Sequence, residues 1–211
     1  MSEDVLTRAL ISEQYATIQG TGVMSGEWQY FVRFAGCSVM SCPIRKVCDQ
    51  PESLGRVNGS LVSIDTIIDE AKKHANWLHI TGGEPCDQPE ALGQLTVKAR
   101  RVGLKVQIQT SGLLPVTCEW DVLTVSPKGK ASELAVGSCT EIVAVCDSRT
   151  ETKNILAFRH RVSAEHYWIQ PVWENGECDY EPSVALIAEV RELCGQEWKL
   201  TSQLHKHAGL K

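Results

Sequence analysis

The stretch Trp77-Leu-His-Ile80-Thr81-Gly82-Gly83-Glu84-Pro85, with Pro89 shortly after it, decides how this chain is read. Trp77 to Ile80 has the length and composition of a short buried strand. Thr81 to Glu84 then falls at that strand's C-terminal end, where the paired glycines mark a tight turn. Pro89 suits the first turn of a helix, and Leu92, Leu95, Ala99 and Val102 share one face of it. Gly103 ends that helix, and Lys105 to Gln109 resumes as a strand. A strand–turn–helix–strand unit builds a parallel sheet, whose ligand sites gather at the C-terminal edge of the strands.

The same alternation extends in both directions. Upstream, Leu10 to Gln19 and Gln29 to Phe34 read as strands around a glycine-rich turn, Gly20 to Gly26. Ser63 reads as the N-cap of a helix whose Ile64, Ile67, Ile68 and Ala71 form one apolar face. Downstream, Val122 to Val125, Glu141 to Val145 and Tyr167 to Gln170 read as strands. Ser183 is expected to cap a last long helix that runs through Leu193 and stops near Gly195. The pattern predicts a parallel sheet of about six strands. A complete eight-fold barrel needs ~250 residues, more than the 211 here. The expectation is an α/β chain forming one domain over 1–211. Its fold would be a partial (β/α)6-type parallel barrel with an N-terminal extension strand.

Composition narrows the function classes. With 43% hydrophobic and 22% charged residues the chain can bury a core. A net charge of −5 argues against nucleic-acid binding, which needs a basic footprint. Met1-Ser-Glu-Asp-Val lacks the basic and apolar regions of a secretory signal, and no apolar run reaches membrane-spanning length. Nine cysteines without an export signal imply a reducing, cytoplasmic setting in which thiols stay free.

Three of those thiols cluster in Phe34-Ala-Gly-Cys37-Ser-Val-Met-Ser-Cys42-Pro-Ile-Arg-Lys-Val-Cys48-Asp49. A structural zinc site would need a fourth ligand nearby, and no Cys or His follows closely. Cys86 is either that ligand or a thiol packed under the turn. Taken alone, the triplet fits buried structural thiols as well as a metal site. A cubane iron–sulfur cluster normally takes four thiolates. Three would leave one iron open to chelation by the amino and carboxylate groups of a small molecule. The glycine turn lets backbone approach that molecule, and Glu84 can accept from its ammonium. This is the layout of a radical S-adenosylmethionine (SAM) enzyme. Gln109-Thr110-Ser111-Gly112 and Ser126-Pro127-Lys128 also follow strands. Each is a capped turn, or a set of hydroxyls and an ammonium aimed at ribose and carboxylate. Gly20 to Gly26 lacks the Lys-Ser/Thr ending of a phosphate loop and precedes a strand, which excludes that reading.

Together these residues resemble the 7-carboxy-7-deazaguanine synthases, a radical SAM family. The resemblance runs from Ile11-Ser-Glu-Gln-Tyr-Ala-Thr17-Ile18-Gln19-Gly20-Thr21-Gly22 through Phe31-Val-Arg33-Phe-Ala-Gly-Cys37, Cys48-Asp49, Thr81–Pro85, Ser126-Pro-Lys128 and Gln170-Pro171. It ends at Ser202-Gln203-Leu204-His205-Lys206. It implies that Cys37, Cys42 and Cys48, in a cluster loop of about residues 35–58, hold a 4Fe-4S cluster. It implies that Val47, Asp49, Gly82, Gly83, Glu84, Thr110, Ser126, Lys128 and Gln170 bind SAM. Arg33 would take the substrate carboxylate, with Gln19, Thr21, Thr81, His205 and Lys206 as further substrate contacts. The substrate implied is 6-carboxy-5,6,7,8-tetrahydropterin. A 5′-deoxyadenosyl radical would take hydrogen from its C6, and ring contraction with loss of ammonia would give 7-carboxy-7-deazaguanine. A reductase or flavodoxin-type electron donor and a homodimer are also implied.

Four positions depart from the family pattern. The C-x3-C-x2-C spacing becomes C-x4-C-x5-C, an aromatic residue becomes Val47, and the Gln-Gly-Glu-Gly glutamate becomes Thr21. A threonine linked to magnesium becomes Gln50, which puts Mg2+ in question. Another radical SAM reaction, such as a glycyl-radical activase, or an inactive binding homologue are the alternatives.

Overall fold

The computed structural model describes residues 7–174, 176–195 and 197–210; the stretch Met1 to Val5 read above lies outside them. In chain order the elements are β1 (Arg8–Ile18), β2 (Trp28–Phe34), α1 (Pro51–Leu54), β3 (Ser60–Ser63) and α2 (Ile64–His74). They continue with β4 (Trp77–Gly82), α3 (Pro89–Arg101), β5 (Lys105–Thr110), β6 (Val122–Val125), β7 (Ser138–Cys146) and α4 (Thr152–Arg161). The last are β8 (Ser163–Pro171), β9 (Trp173–Glu174), β10 (Glu177–Cys178), α5 (Glu181–Cys194), β11 (Lys199–Leu200) and α6 (Leu204–His207).

Among the described residues nine strands form one sheet in the order β11-β8-β7-β6-β5-β4-β2-β1-β3. Every pairing from β2 to β11 is parallel, while β1 joins β2 and β3 antiparallel. The expected six parallel strands are β2 and β4 to β8, short β11 extends them, and β1 is the N-terminal extension. No ladder among the described residues joins β11 to β3, so the sheet is open.

The apolar core lies between the outer sheet face and the helices. Ile64, Ile67, Ile68 and Ala71 of α2 and Leu92, Leu95 and Ala99 of α3 pack on Val32, Leu78, Ile80, Val106 and Ile108. Ser63 caps α2 as expected, its side chain accepting from Thr66 N. Burying one such aliphatic side chain contributes roughly 1.5–3 kcal/mol.

The structure corrects the sequence reading at several points. Val102 does not share the α3 face: it follows the last helical residue and is 42% exposed, and Gly103 at φ 86° turns the chain away. Ser183 is not the cap of α5. Pro182 presets the first turn, Asp179 Oδ1 accepts from Glu181 N, and Ser183 lies buried inside the helix. The alternation of strand and helix also lapses. Between β5 and β6 no helix forms, and Leu113, Leu114, Val116, Cys118 and Trp120 pack on the core from a loop instead. Between β6 and β7 there is one 3-10 turn, Ala131–Glu133, with Leu134 and Val136 as the buried anchors. Helix α4 escaped the pattern because only Thr152 and Ile155 of it are fully buried.

Candidate active site

The C-terminal ends of β2, β4, β5, β6 and β8 open on one cavity, and it is lined by every residue that the resemblance assigns to the cluster, SAM or the substrate, and by Gln50. The three thiols, Val47, Asp49 and Gln50 enter from the loop after β2. Thr81 to Glu84, Thr110, Ser126, Lys128 and Gln170 enter from the strand ends. Gln19, Thr21 and Arg33 form the N-terminal side, and His205 and Lys206 close the C-terminal side.

The glycine pair is required by the protein's own backbone. A Cβ on Gly82, which sits at φ 119°, would lie 2.2 Å from Phe34 N, and one on Gly83 would lie 2.0 Å from Gly36 O. Gly83 N and Glu84 N donate to Phe34 O and Gly36 O at 2.8 and 2.9 Å. These glycines let β4 seat against the start of the cluster loop, and both also line the cavity. Glu84 is 1% exposed. Its Oε1 accepts from Thr110 Oγ1 (2.7 Å) and Cys86 N (3.1 Å), and its Oε2 from Ser111 N (2.9 Å) and Ser111 Oγ (2.5 Å). Those four donors fill the carboxylate's acceptor sites. Among the described residues it has no salt bridge, so a ligand ammonium would supply the counter-charge a buried carboxylate lacks, with a hydroxyl turning aside. Cys86 packs under the turn, 3.6 Å from Thr110 Oγ1, and burial with the Glu84 charge pushes its thiol up to about 12. It is no ligand to the cavity.

Cys37, Cys42 and Cys48 are partly exposed at the cavity wall. Among the described residues no three His, Cys, Asp or Glu side chains converge on a single ion. Three thiols spread around a wall suit a cluster several atoms across, so the donor set fits a cubane with one open iron. Burial pushes the Cys37 and Cys48 thiols up, which a bound metal would reverse. Lys128 donates to Ser126 Oγ at 2.5 Å; burial lowers its pKa and the nearby Cys42 and Asp49 work against that.

The C-terminal segment ties two distant loops together. Lys206 Nζ lies 3.0 Å from Asp49 Oδ2, and Gln203 Nε2 lies 3.2 Å from the same oxygen. Burial works to raise the Asp49 carboxyl, but Lys206, Arg33 and Gln203 outweigh it and hold it low. Both Asp49 and Lys206, read as ligand contacts, are therefore engaged with each other. His205 lies on Gly20, where a Cβ would meet its Nδ1 at 1.8 Å. Among the described residues His205 Nδ1 and Gln19 Nε2 are both buried without a hydrogen-bond partner, and both residues line the cavity. Unpaired buried polar atoms are costly, and a polar ligand between them would remove that cost.

Beneath the cavity runs a buried chain of hydrogen bonds. Glu141 accepts from Thr124 Oγ1 (2.7 Å) and Val23 N (2.8 Å). Gln107 Nε2 donates to Thr124 Oγ1 (3.1 Å), and Gln29 Nε2 to Gln107 Oε1 (2.9 Å). Gln29 Oε1 then accepts from His79 Nδ1 at 2.7 Å, which fixes the ring tautomer. Burial, then the Arg33 charge, lowers the His79 pKa to about 3, so the ring is neutral.

No family model matches the chain. It is 30% identical over 220 residues to the 7-carboxy-7-deazaguanine synthase of Bordetella pertussis, covering 95% of this chain and 98% of that one. It is 29% identical over 205 residues to that of Flavobacterium psychrophilum, covering 95% and 91%. The chain belongs to the 7-carboxy-7-deazaguanine synthase family. The crystal structure of QueE from Escherichia coli shares its fold, with a TM-score of 0.69 over 94% of this chain and 95% of that one at 22% identity.

Within this family frame, the departures at Thr21, Val47 and Gln50 all sit on the cavity wall. Sequence reasoning missed Tyr15, Thr17, Phe31, Arg45, Trp173 and Gln203 as lining residues. Gln203, Gln109 and Ser111 lay inside motifs already noticed. Trp173 sits on β9 against Lys206 and His207, and nothing in its local sequence marks it.

Proposed function

We propose that this chain is a radical SAM lyase that converts 6-carboxy-5,6,7,8-tetrahydropterin to 7-carboxy-7-deazaguanine with loss of ammonia. The observation that carries this is the convergence on one cavity of three thiols, the Thr81–Glu84 strand end, Arg33, Gln19 and His205. When bound, the cluster and SAM supply the radical that starts the ring contraction. The residues do the rest by positioning. Cys37, Cys42 and Cys48 would hold the cluster, and Glu84 would take the methionyl ammonium with Thr110 and Ser111 beside it. Ser126, Lys128, Gln170 and Val47 line the remainder of the SAM side. Arg33 would pair with the substrate carboxylate, while Gln19 and His205 would meet the polar edge of the ring. Thr21 and Thr81 stand beside them.

The test is anaerobic reconstitution followed by turnover with the pterin and SAM. 7-Carboxy-7-deazaguanine in the product mass spectrum supports the reading. SAM cleavage without that product, from a protein that binds the cluster, overturns it. The same proposal includes one catalytic domain over 1–211, a flavodoxin-type or reductase electron donor, a homodimer and a cytoplasmic setting. No helix of the described residues is long and apolar enough to cross a membrane. Magnesium is expected still to stimulate turnover but to bind more weakly than where the family has threonine, since Gln50 offers one amide oxygen at the cavity wall. Equal turnover with chelator and with millimolar magnesium would remove the ion from the proposal.

A further inference from the structure

Two side chains to which the sequence reading gave no role, Glu13 and Tyr15, hold the guanidinium of Arg33. Its Nε and Nη2 donate to Tyr15 Oη at 3.1 and 2.8 Å, and Nε lies 3.0 Å from Glu13 Oε1. Arg33 and Glu13 are 11% and 17% exposed, so the pair is largely shielded from screening by salt. Tyr15 is itself held: its ring stacks on Phe31 at 5.7 Å, and Phe31 stacks on the buried His79 at 4.3 Å.

A bulge puts these groups in place. Ile11 pairs with Phe34, both in the core, yet Glu13 pairs with Arg33. The register shifts between Ile11 and Glu13, and Ser12 Oγ donates to Arg33 O at 3.1 Å across the irregularity. One inserted residue turns the odd-numbered positions of β1 from the core face to the cavity face.

We infer that Glu13 and Tyr15 are positioning residues for Arg33. They occupy the Nε edge of its fork and leave the Nη1 end, which donates to no described residue, for the carboxylate of the ligand. This rests on the reading of Arg33 as the carboxylate site. Glu13 also carries a price of its own, because its negative charge opposes a second anion on the same guanidinium. Tyr15 lowers the freedom of the fork without that penalty. The two residues therefore have opposite effects on anion binding, which a purely structural role would not produce.

The test uses the reconstituted protein with SAM and two fluorescent probes, pterin-6-carboxylate and pterin without the carboxylate. Wild type should bind the carboxylated probe more tightly. Tyr15→Phe keeps the ring stack and should weaken that probe about 3- to 10-fold while leaving pterin unchanged. Glu13→Gln keeps the shape and should tighten it about 2- to 5-fold, with the gain shrinking as salt rises. Equal affinity of wild type for both probes removes the Arg33 reading itself, and the clamp falls with it. Discrimination by wild type that neither substitution changes removes the clamp alone. So does a loss in both variants that is the same for both probes.

Discussion

The two walls of the cavity are built differently. The strand-end wall is locked before any ligand arrives: Glu84, after β4, accepts three hydrogen bonds from Thr110 and Ser111 at the end of β5 and one from Cys86 N, and Gly83 N is bonded to Phe34 of β2. The cluster loop is held at few points. Ser38 N and Oγ donate to Asp87 at 2.7 and 2.6 Å, Asp49 is tied to Lys206, and Met40 stands 72% exposed. Parallel strands fix their ends by register, whereas a loop with two short turns has no ladder to do so. The difference separates a wall set by folding alone from one that, on the proposed function, would be completed by what binds to it.

The largest effect separating the walls is expected from Cys37→Ala, Cys42→Ala or Cys48→Ala. Each should abolish iron binding and SAM cleavage while changing the thermal stability of cluster-free protein by roughly 1 kcal/mol or less, as for other partly exposed positions. Iron analysis beside a melting curve checks both halves. A large loss of stability without the cluster would mean the loop is part of the scaffold after all.

Glu84→Ala should act on the other wall. It strands Thr110 Oγ1, Ser111 Oγ and the amides of Ser111 and Cys86, at a cost of roughly 3 kcal/mol. Cluster-free protein should show the full loss in denaturant unfolding, and SAM affinity should fall as well. A variant with unchanged stability would show that the wall does not depend on Glu84.

The floor under the strand ends should respond to acid before the loop does. His79 binds its proton only near pH 3 in the fold but at its ordinary 6.5 when unfolded. Its contribution is present above 6.5 and is lost as the pH falls toward 3, because the unfolded chain then holds more protons. Stability should fall by up to roughly 1.4 kcal/mol per pH unit in that window. His205, lowered to about 4 mainly by burial, adds a second proton over part of it. His79→Gln should flatten the slope between pH 6 and 4 in urea titrations; an unchanged slope would assign the acid sensitivity elsewhere.

The smallest effect is expected at the clamp between tail and loop. The Asp49 carboxyl is held below its ordinary 3.8, so the clamp is intact above that value and is lost only as the pH falls through the lowered one. The pair is partly exposed, at 17% and 42%, so Lys206→Met should cost less than about 1 kcal/mol of global stability. Faster amide exchange around residues 203–207, with no change at β4 and β5, is the expected signature. Exchange that rises equally in both regions would join the tail to the scaffold.

How much was legible in the sequence depended on local signals. The strands β2 and β4 to β8, the capped α2 and the start of α3 each carry a period, a cap or a glycine that acts within a few residues. Helix α4, the tiny β9, β10 and β11 and the helix-free crossovers carry none, since too few of their positions are buried to leave a pattern. The candidate site was legible because its residues follow strand ends in a recognisable order.

By itself the sequence determined an α/β chain of parallel strands, the three thiols and the polar residues that follow the strands. Only the tertiary structure decided what those residues touch. It gave the glycines to the backbone of β2, Glu84 to Thr110 and Ser111, and Lys206 to Asp49. It turned Glu13 and Tyr15 toward Arg33 through a bulge at Ser12. The physical reason is range. Propensity and periodicity act over a turn or a strand, while Lys206 and Asp49 meet across 157 positions of chain, and a single inserted residue can reverse which face of a strand is buried.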